Sequence, residues 1–166
     1  MLLEWIIYKK PTLLGLASGI VAGLVAITPA AGFVDVSGAM IVGAVGSLLG
    51  FFGVVGLKKM FKYDDSLDAF GIHFIAGLWG ALATGLLAVN DKALLWDGSP
   101  LKETGDRMAQ FMVQLQSVGV TIAWVVVGTV IVYFIAAAVT GGGRVDKDTE
   151  EMGLDEATHG EKSFNL

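Results

Sequence analysis

The chain has 166 residues, 54% of them hydrophobic and 16% charged, which is too apolar and too sparsely charged for an ordinary soluble domain. It contains no cysteine, which excludes disulfide scaffolds, thiolate-ligated zinc, iron–sulfur clusters and thiol nucleophiles. Eleven Lys and Arg against sixteen Asp and Glu give a formal charge of −5 and leave no basic stripe for a nucleic acid.

The amino terminus places a short apolar run with Trp5 and Tyr8 ahead of Lys9 and Lys10. A signal peptide has the reverse order, with its charges first. Interfacial aromatics followed by lysines read instead as the cytoplasmic end of an earlier spanning helix.

Four stretches then lack Lys, Arg, Asp and Glu: Leu13 to Thr28, Val36 to Leu57, Ala69 to Val89 and Val113 to Val139. A hydrocarbon core about 30 Å thick needs roughly 20 apolar residues at 1.5 Å each, and the first stretch reaches that length by including Thr12 and Pro29 to Phe33. The alternative, a soluble bundle, would show polar residues on each outer face at the 3.6-residue period, and these stretches do not. The expectation is an all-α polytopic membrane protein with four spans at roughly 12–33, 36–57, 68–89 and 113–140. Together with the end of a preceding helix they make up a transmembrane region over 1–143, followed by a cytoplasmic tail over 144–166.

Short cytoplasmic loops retain Lys and Arg. Lys9 and Lys10 precede the first span, Lys58, Lys59 and Lys62 follow the second, and Arg144 and Lys147 follow the fourth. These ends, and so the carboxy terminus, are predicted cytoplasmic. The third loop balances Lys92, Lys102 and Arg107 against Asp91, Asp97, Glu103 and Asp106 and is predicted to lie outside.

Lipid tails are as apolar as leucine, so spanning helices associate where small residues let backbones approach. Gly15, Gly19 and Gly23 form such a row on the first span, Gly43, Gly46, Gly50 and Gly53 on the second, and Gly77, Gly80, Ala81 and Gly85 on the third. Each row alone is ordinary packing; together they imply a multi-helix assembly. Thr28-Pro29 followed by Ala30-Ala31-Gly32 punctuates the end of the first span.

Two ionisable residues stand out on the third span. Asp68, in Asp64-Asp65-Ser66-Leu67-Asp68, is placed to accept the free amide hydrogens of the helix start and to oppose the helix dipole, or else to mark a pathway. His73 lies about 7.5 Å farther in. Its imidazole can donate and accept, which suits either an interhelical hydrogen bond or a pore-lining group. The other histidine, His159, is in the polar tail, so no metal site built by this chain alone is expected. Without a Ser/His/Asp set, a glycine-rich phosphate loop or an HExxH spacing, hydrolase and nucleotide chemistry have no residues to carry them, and no enzyme or cofactor is expected. Trp5, Trp79, Trp96 and Trp124 read as packing and interface residues.

From Arg144 onward 7 acidic residues outnumber 3 basic ones, and Gly141-Gly142-Gly143 sets this segment apart. A solvated disordered end is one reading. Gly153-Leu154-Asp155, His159-Gly160-Glu161 and Phe164 interleave turn formers with apolar anchors, as in a docked segment.

Thr28-Pro29-Ala30-Ala31-Gly32-Phe33, the run Asp64 to His73, and the tail from Gly153-Leu154-Asp155 to His159-Gly160-Glu161 closely resemble the ammonium transporter (Amt/Mep/Rh) family. The resemblance covers essentially the whole chain but only the carboxy-terminal portion of an eleven-helix member, from the end of the seventh helix through the eleventh. It implies a homotrimer with a narrow apolar pore in each subunit and two facing histidines at its centre, of which His73 matches the second. The first belongs to the family's fifth helix, in an amino-terminal half that would have to be supplied. Asp68, Ala69 and Phe70 would support the pore or the helix start. Ala69 matches a bulkier pore-lining position, and Phe74 replaces the glycine usual after the pore histidine. The resemblance further implies ammonium or ammonia as substrate, the cell membrane as location, and a regulatory tail through Arg144, Gly153, Leu154, Asp155, His159, Gly160, Glu161 and Phe164. That tail would dock a PII-type nitrogen regulator. The alternatives are a non-conducting, membrane-anchored regulator and a fragment with no independent role.

Overall fold

The computed structural model describes residues 1–89 and 106–161. Its regular elements there are helices: α1 (Leu2–Tyr8), α2 (Leu13–Ala30), α3 (Val36–Phe61), α4 (Phe70–Leu87), α5 (Arg107–Thr140) and α6 (Lys147–Met152). The helices α2 to α5 are each long and apolar enough to cross a bilayer. Of the third loop, Asp91, Lys92, Trp96, Asp97, Lys102 and Glu103 lie outside the described residues, as does Phe164.

Side chains start and stop these helices. Thr12 caps α2 by accepting the Gly15 amide at 2.9 Å, and the helix tightens into a 3₁₀ turn over Thr28–Ala30, where Pro29 cannot donate. Asp35 caps α3, accepting the Gly38 amide at 2.7 Å and the Ser37 hydroxyl at 2.9 Å. Those bonds hold its carboxyl below the usual carboxylate range. Lys62, in the left-handed region at φ 52°, ends α3. Asp106 accepts the Ala109 amide at 2.9 Å, so α5 begins at Arg107, ahead of the uncharged stretch.

The chain divides into two compact units, Met1–Val120 and Thr121–Leu166, with the boundary inside α5. The first is built inside out relative to a soluble bundle. Its buried cluster is small, with Ala22, Ala26 and Ala30 of α2, Val42 of α3, and Ile72, Ala76 and Ala83 of α4. Leu13, Leu14, Val36 and Met40 point outward. Small residues inside and large apolar ones outside suit helices dissolved in lipid.

The glycine rows are contacts, but not one groove each. A Cβ on Gly46 would collide with the Cβ of Ala26, and one on Gly50 would lie 2.8 Å from that of Ala22, so this pair sets the α2–α3 crossing. A Cβ on Gly80 would collide with the Ala26 carbonyl, bringing α4 onto α2. Gly53 and Gly71 face each other where α3 meets α4. In α2 the expected continuous row divides: Gly15 faces the Glu4 carboxylate of α1, Gly23 faces Ser47 and Gly43, and Gly19 has open space beside it. Polar bonds lock the register. The Ser47 hydroxyl donates to the Gly19 carbonyl at 2.7 Å, and the Trp79 indole N–H to the Val42 carbonyl at 3.0 Å. At the opposite end the Val89 amide donates to the Phe33 carbonyl at 2.7 Å, and the Arg107 guanidinium to the Ala88 carbonyl at 2.6 Å.

In the second unit α5 stops at a glycine turn. Gly141 and Gly142 take φ 79° and 155°, the Gly142 amide donates to the Ala137 carbonyl at 2.9 Å, and Gly143 packs on the Tyr133 ring. Asp146 then caps α6, accepting the Thr149 amide at 2.9 Å and its hydroxyl at 2.8 Å.

Candidate functional site

His73 sits inside a wide π turn, Phe70–Ile75, that opens α4 before the regular helix Ala76–Leu87. Such turns cost hydrogen-bond geometry and recur at functional sites. A second π turn, Gly53–Leu57, lies in α3, and the two meet at the Gly53–Gly71 crossing, where a Cβ on Gly53 would lie 2.7 Å from the Gly71 Cα. Gly71 and Ile72 are buried against α3, whereas His73 and Phe74 are exposed. The His73 imidazole has no hydrogen-bond partner among the described residues, so the interhelical bond that its residue type allowed is not made among them. Exposed aromatic residues flank it in sequence. Phe70 and Phe74 stack at 4.9 Å between centroids, and Tyr63 meets Phe70 edge-on at 5.2 Å.

The start of α4 departs from expectation. Asp65, not Asp68, caps the helix: its two carboxylate oxygens accept the Ala69 amide at 2.9 Å and the Phe70 amide at 2.8 Å. Asp68 lies in the left-handed region at φ 56°, which Asp tolerates better than most residues with a Cβ. Its carboxylate is therefore turned away from the helix-start amides and meets the Lys58 ammonium at 2.7 Å. The same ammonium donates to the Asp65 carbonyl, and the Asp68 carbonyl accepts the Ile72 amide at 3.0 Å. Ala69 and Phe70 are thus helix-start residues through their backbones, while the Phe70 ring joins the exposed stack.

Sequence reasoning missed Lys58 and the capping role of Asp65. Three acids within five residues give no linear signal of which one faces the amides, and Lys58 reaches Asp68 only across a folded loop.

The tail residues belong to the second unit. Arg144 forks onto Glu150, with Nη2 to Oε1 at 2.7 Å and Nε to Oε2 at 3.2 Å, and this guanidinium lowers the Glu150 carboxyl from its ordinary value. Gly153 and Gly160 take φ 98° and 67°, framing a π turn over Asp155–His159 closed by the Glu161 amide on the Asp155 carbonyl at 3.2 Å. Leu154, Asp155, His159, Gly160 and Glu161 are exposed. Among the described residues no three His, Asp or Glu side chains converge as a metal site would need.

Four membrane-length helices, three of them packed through glycine and alanine, define a polytopic all-α membrane protein. The model of the ammonium transporter family matches residues 1–164. The chain is 40% identical to the ammonium transporter of Bacillus subtilis over 99% of its own length, and 43% identical to that of Aquifex aeolicus over all of it. Among solved structures, it superposes on one titled sensor Amt protein with a TM-score of 0.79 at 26% identity, covering 95% of this chain and 37% of that one. For Saccharomyces cerevisiae Mep2 the TM-score is 0.74 at 33% identity, with 89% and 34% covered. The chain belongs to the ammonium transporter family, as its motifs suggested. It spans about two fifths of the curated relatives it matches, 40% and 38% of their lengths.

Proposed function

We propose that this chain forms the carboxy-terminal part of an ammonium/ammonia transporter in the cell membrane. It contributes one of two paired pore histidines, His73, and a cytoplasmic regulatory tail. The observation that carries the reading is an exposed imidazole, without a hydrogen-bond partner among the described residues, on a wide turn of a spanning helix. An ionisable group at membrane depth is costly and is kept where it has work to do. Helices supplying the other histidine would cover that imidazole, and three such units would form the trimer that the family resemblance implies.

The chemistry follows from desolvation. A bare ammonium ion loses far more hydration energy on entering an apolar pore than neutral ammonia does. Two facing imidazoles can share a proton and pass hydrogen bonds along the path, because each donates at one nitrogen and accepts at the other. Ammonium can give up its proton and cross neutral; a potassium ion cannot. The test is methylammonium uptake by His73→Ala in an assembly with complementary amino-terminal helices. Loss of uptake or of selectivity over potassium is the expected result, and unchanged rate and selectivity would remove His73 from the pore.

One observation favours a second reading, a membrane-anchored regulator that does not conduct: a sensor Amt protein is among the similar structures. On that reading the tail, including Arg144 and Gly153 to Glu161, presents a surface to a PII-type protein. Deleting Val145 to Leu166 would abolish that binding while uptake is absent throughout. Binding that survives the deletion would end this reading.

A further inference from the structure

We infer that Lys58 is a positioning residue for His73. Its ammonium bridges the Asp65 carbonyl and the Asp68 carboxylate, fixing the start of α4 and so the direction in which the imidazole leaves the wide turn. The inference rests on the reading of His73 as the conduction residue and deepens it.

A lysine at the end of a spanning helix ordinarily extends its ammonium toward water and headgroups. Lys58 does the opposite: it folds back across the loop and is only partly exposed, as is Asp68. Each end of its bridge bears on the turn that carries His73. At one end is Asp65, whose carboxylate holds the Ala69 and Phe70 amides. At the other is Asp68, whose carbonyl holds the Ile72 amide and whose left-handed backbone needs an external hold. Three of the four amides immediately preceding His73, those of Ala69, Phe70 and Ile72, are thereby tied to residues that Lys58 clasps.

On its buried side the turn has no slack, because the Gly71 backbone is in contact with Gly53 and Val54. The two holds come from the same helix, five residues apart, at Gly53 and Lys58. Among the described residues the His73 side chain has no hydrogen bond of its own, so its direction is set by the backbone that these two holds define. Releasing one leaves the turn free to pivot about the other.

The test uses the full 166-residue chain in lipid nanodiscs, labelled at histidine, with His73 and His159 resolved by NMR. Lys58→Met is expected to shift or split the His73 resonances and leave those of His159 in place. Asp68→Asn, which breaks the same clasp from its other side, is expected to move His73 to the same positions, and the double variant to add nothing further. Unmoved His73 signals, or independent additive shifts, would overturn the proposal. Should Lys58→Met fail to insert, the Asp68→Asn result against wild type decides by the same criterion. In a conducting assembly, Lys58→Met is expected to reduce uptake on the order of ten- to a hundredfold, the usual cost of displacing a reacting group by about 1 Å. His73→Ala serves as the separate control. If it leaves uptake unchanged, the pore reading fails while the resonance shifts still decide the positioning.

Discussion

Replacing Gly71 by alanine tests how tightly the turn bearing His73 is clamped against α3. A Cβ built there lies 2.7 Å from the Val54 nitrogen, 2.8 Å from Val54 Cγ2 and 2.9 Å from the Gly53 carbonyl carbon. Carbon contacts relax at about 3.5–4.0 Å, so α3 and α4 must separate by roughly 1 Å. Two of the three obstructing atoms are backbone, and no rotamer change relieves them. Overpacking of this kind costs about 1–3 kcal/mol. Alanine returns up to about 1 kcal/mol of helix propensity, leaving a net loss of about 0–2 kcal/mol, and about 1–3 kcal/mol relative to an alanine that meets open space. The assay is unfolding of the chain in mixed micelles by titration with a denaturing detergent, followed by helical circular dichroism. Gly19→Ala is the internal control, since its Cβ enters open space, and it is expected to be neutral or stabilising by up to about 1 kcal/mol. If both variants unfold at the same detergent fraction, the argument from close approach at Gly71 is wrong.

Trp79→Phe keeps an aromatic side chain but removes the donor to the Val42 carbonyl, and should cost about 1 kcal/mol or more in the same titration; an unchanged midpoint would mean that the bond contributes nothing. Phe74→Gly removes one ring of the exposed Phe70–Phe74 stack, next in sequence to His73, and in a conducting assembly should raise methylammonium uptake relative to ammonium. An unchanged ratio would show that Phe74 does not limit pore width. In the tail, Asp146 is held below its ordinary value of 3.8 by the Thr149 amide and hydroxyl, and Glu150 below its ordinary 4.5 by Arg144. Both folded values lie below the unfolded ones, so the stabilisation is complete above the unfolded values and disappears as pH falls through the folded ones. Amide signals of α6 should therefore hold from neutral pH down to about pH 5 and weaken below roughly pH 4. Glu150→Gln should weaken them already at neutral pH, and an α6 indifferent to both acid and this substitution would refute the capping account.

The membrane character of the chain was legible because it depends on composition along a line. Spans free of charge, at a length set by the bilayer, need no tertiary information to be found. Helix ends were legible where a single proline stood at a single boundary, as with Pro29 at the end of α2. The family was legible because its motifs are contiguous runs, from Thr28 to Phe33 and from Asp64 to His73.

What required the folded chain were choices among equivalents. Asp65 and Asp68 are both carboxylates near one helix start, and only the backbone path, with Asp68 left-handed, decides that the first caps and the second meets Lys58. Gly15, Gly19 and Gly23 are identical in sequence terms, yet they face a carboxylate, open space and a neighbouring helix, because helix crossing angles set which of them is in contact. The residue type of His73 admitted an interhelical bond or an open face. The crossing of two wide turns at Gly53 and Gly71 leaves His73 exposed, since burying Gly71 against α3 directs the residue two places on away from that helix. Sequence determined which residues belong in the membrane, because solvation acts on each residue by itself; tertiary structure decided which of them touch, because contact depends on where two distant segments meet.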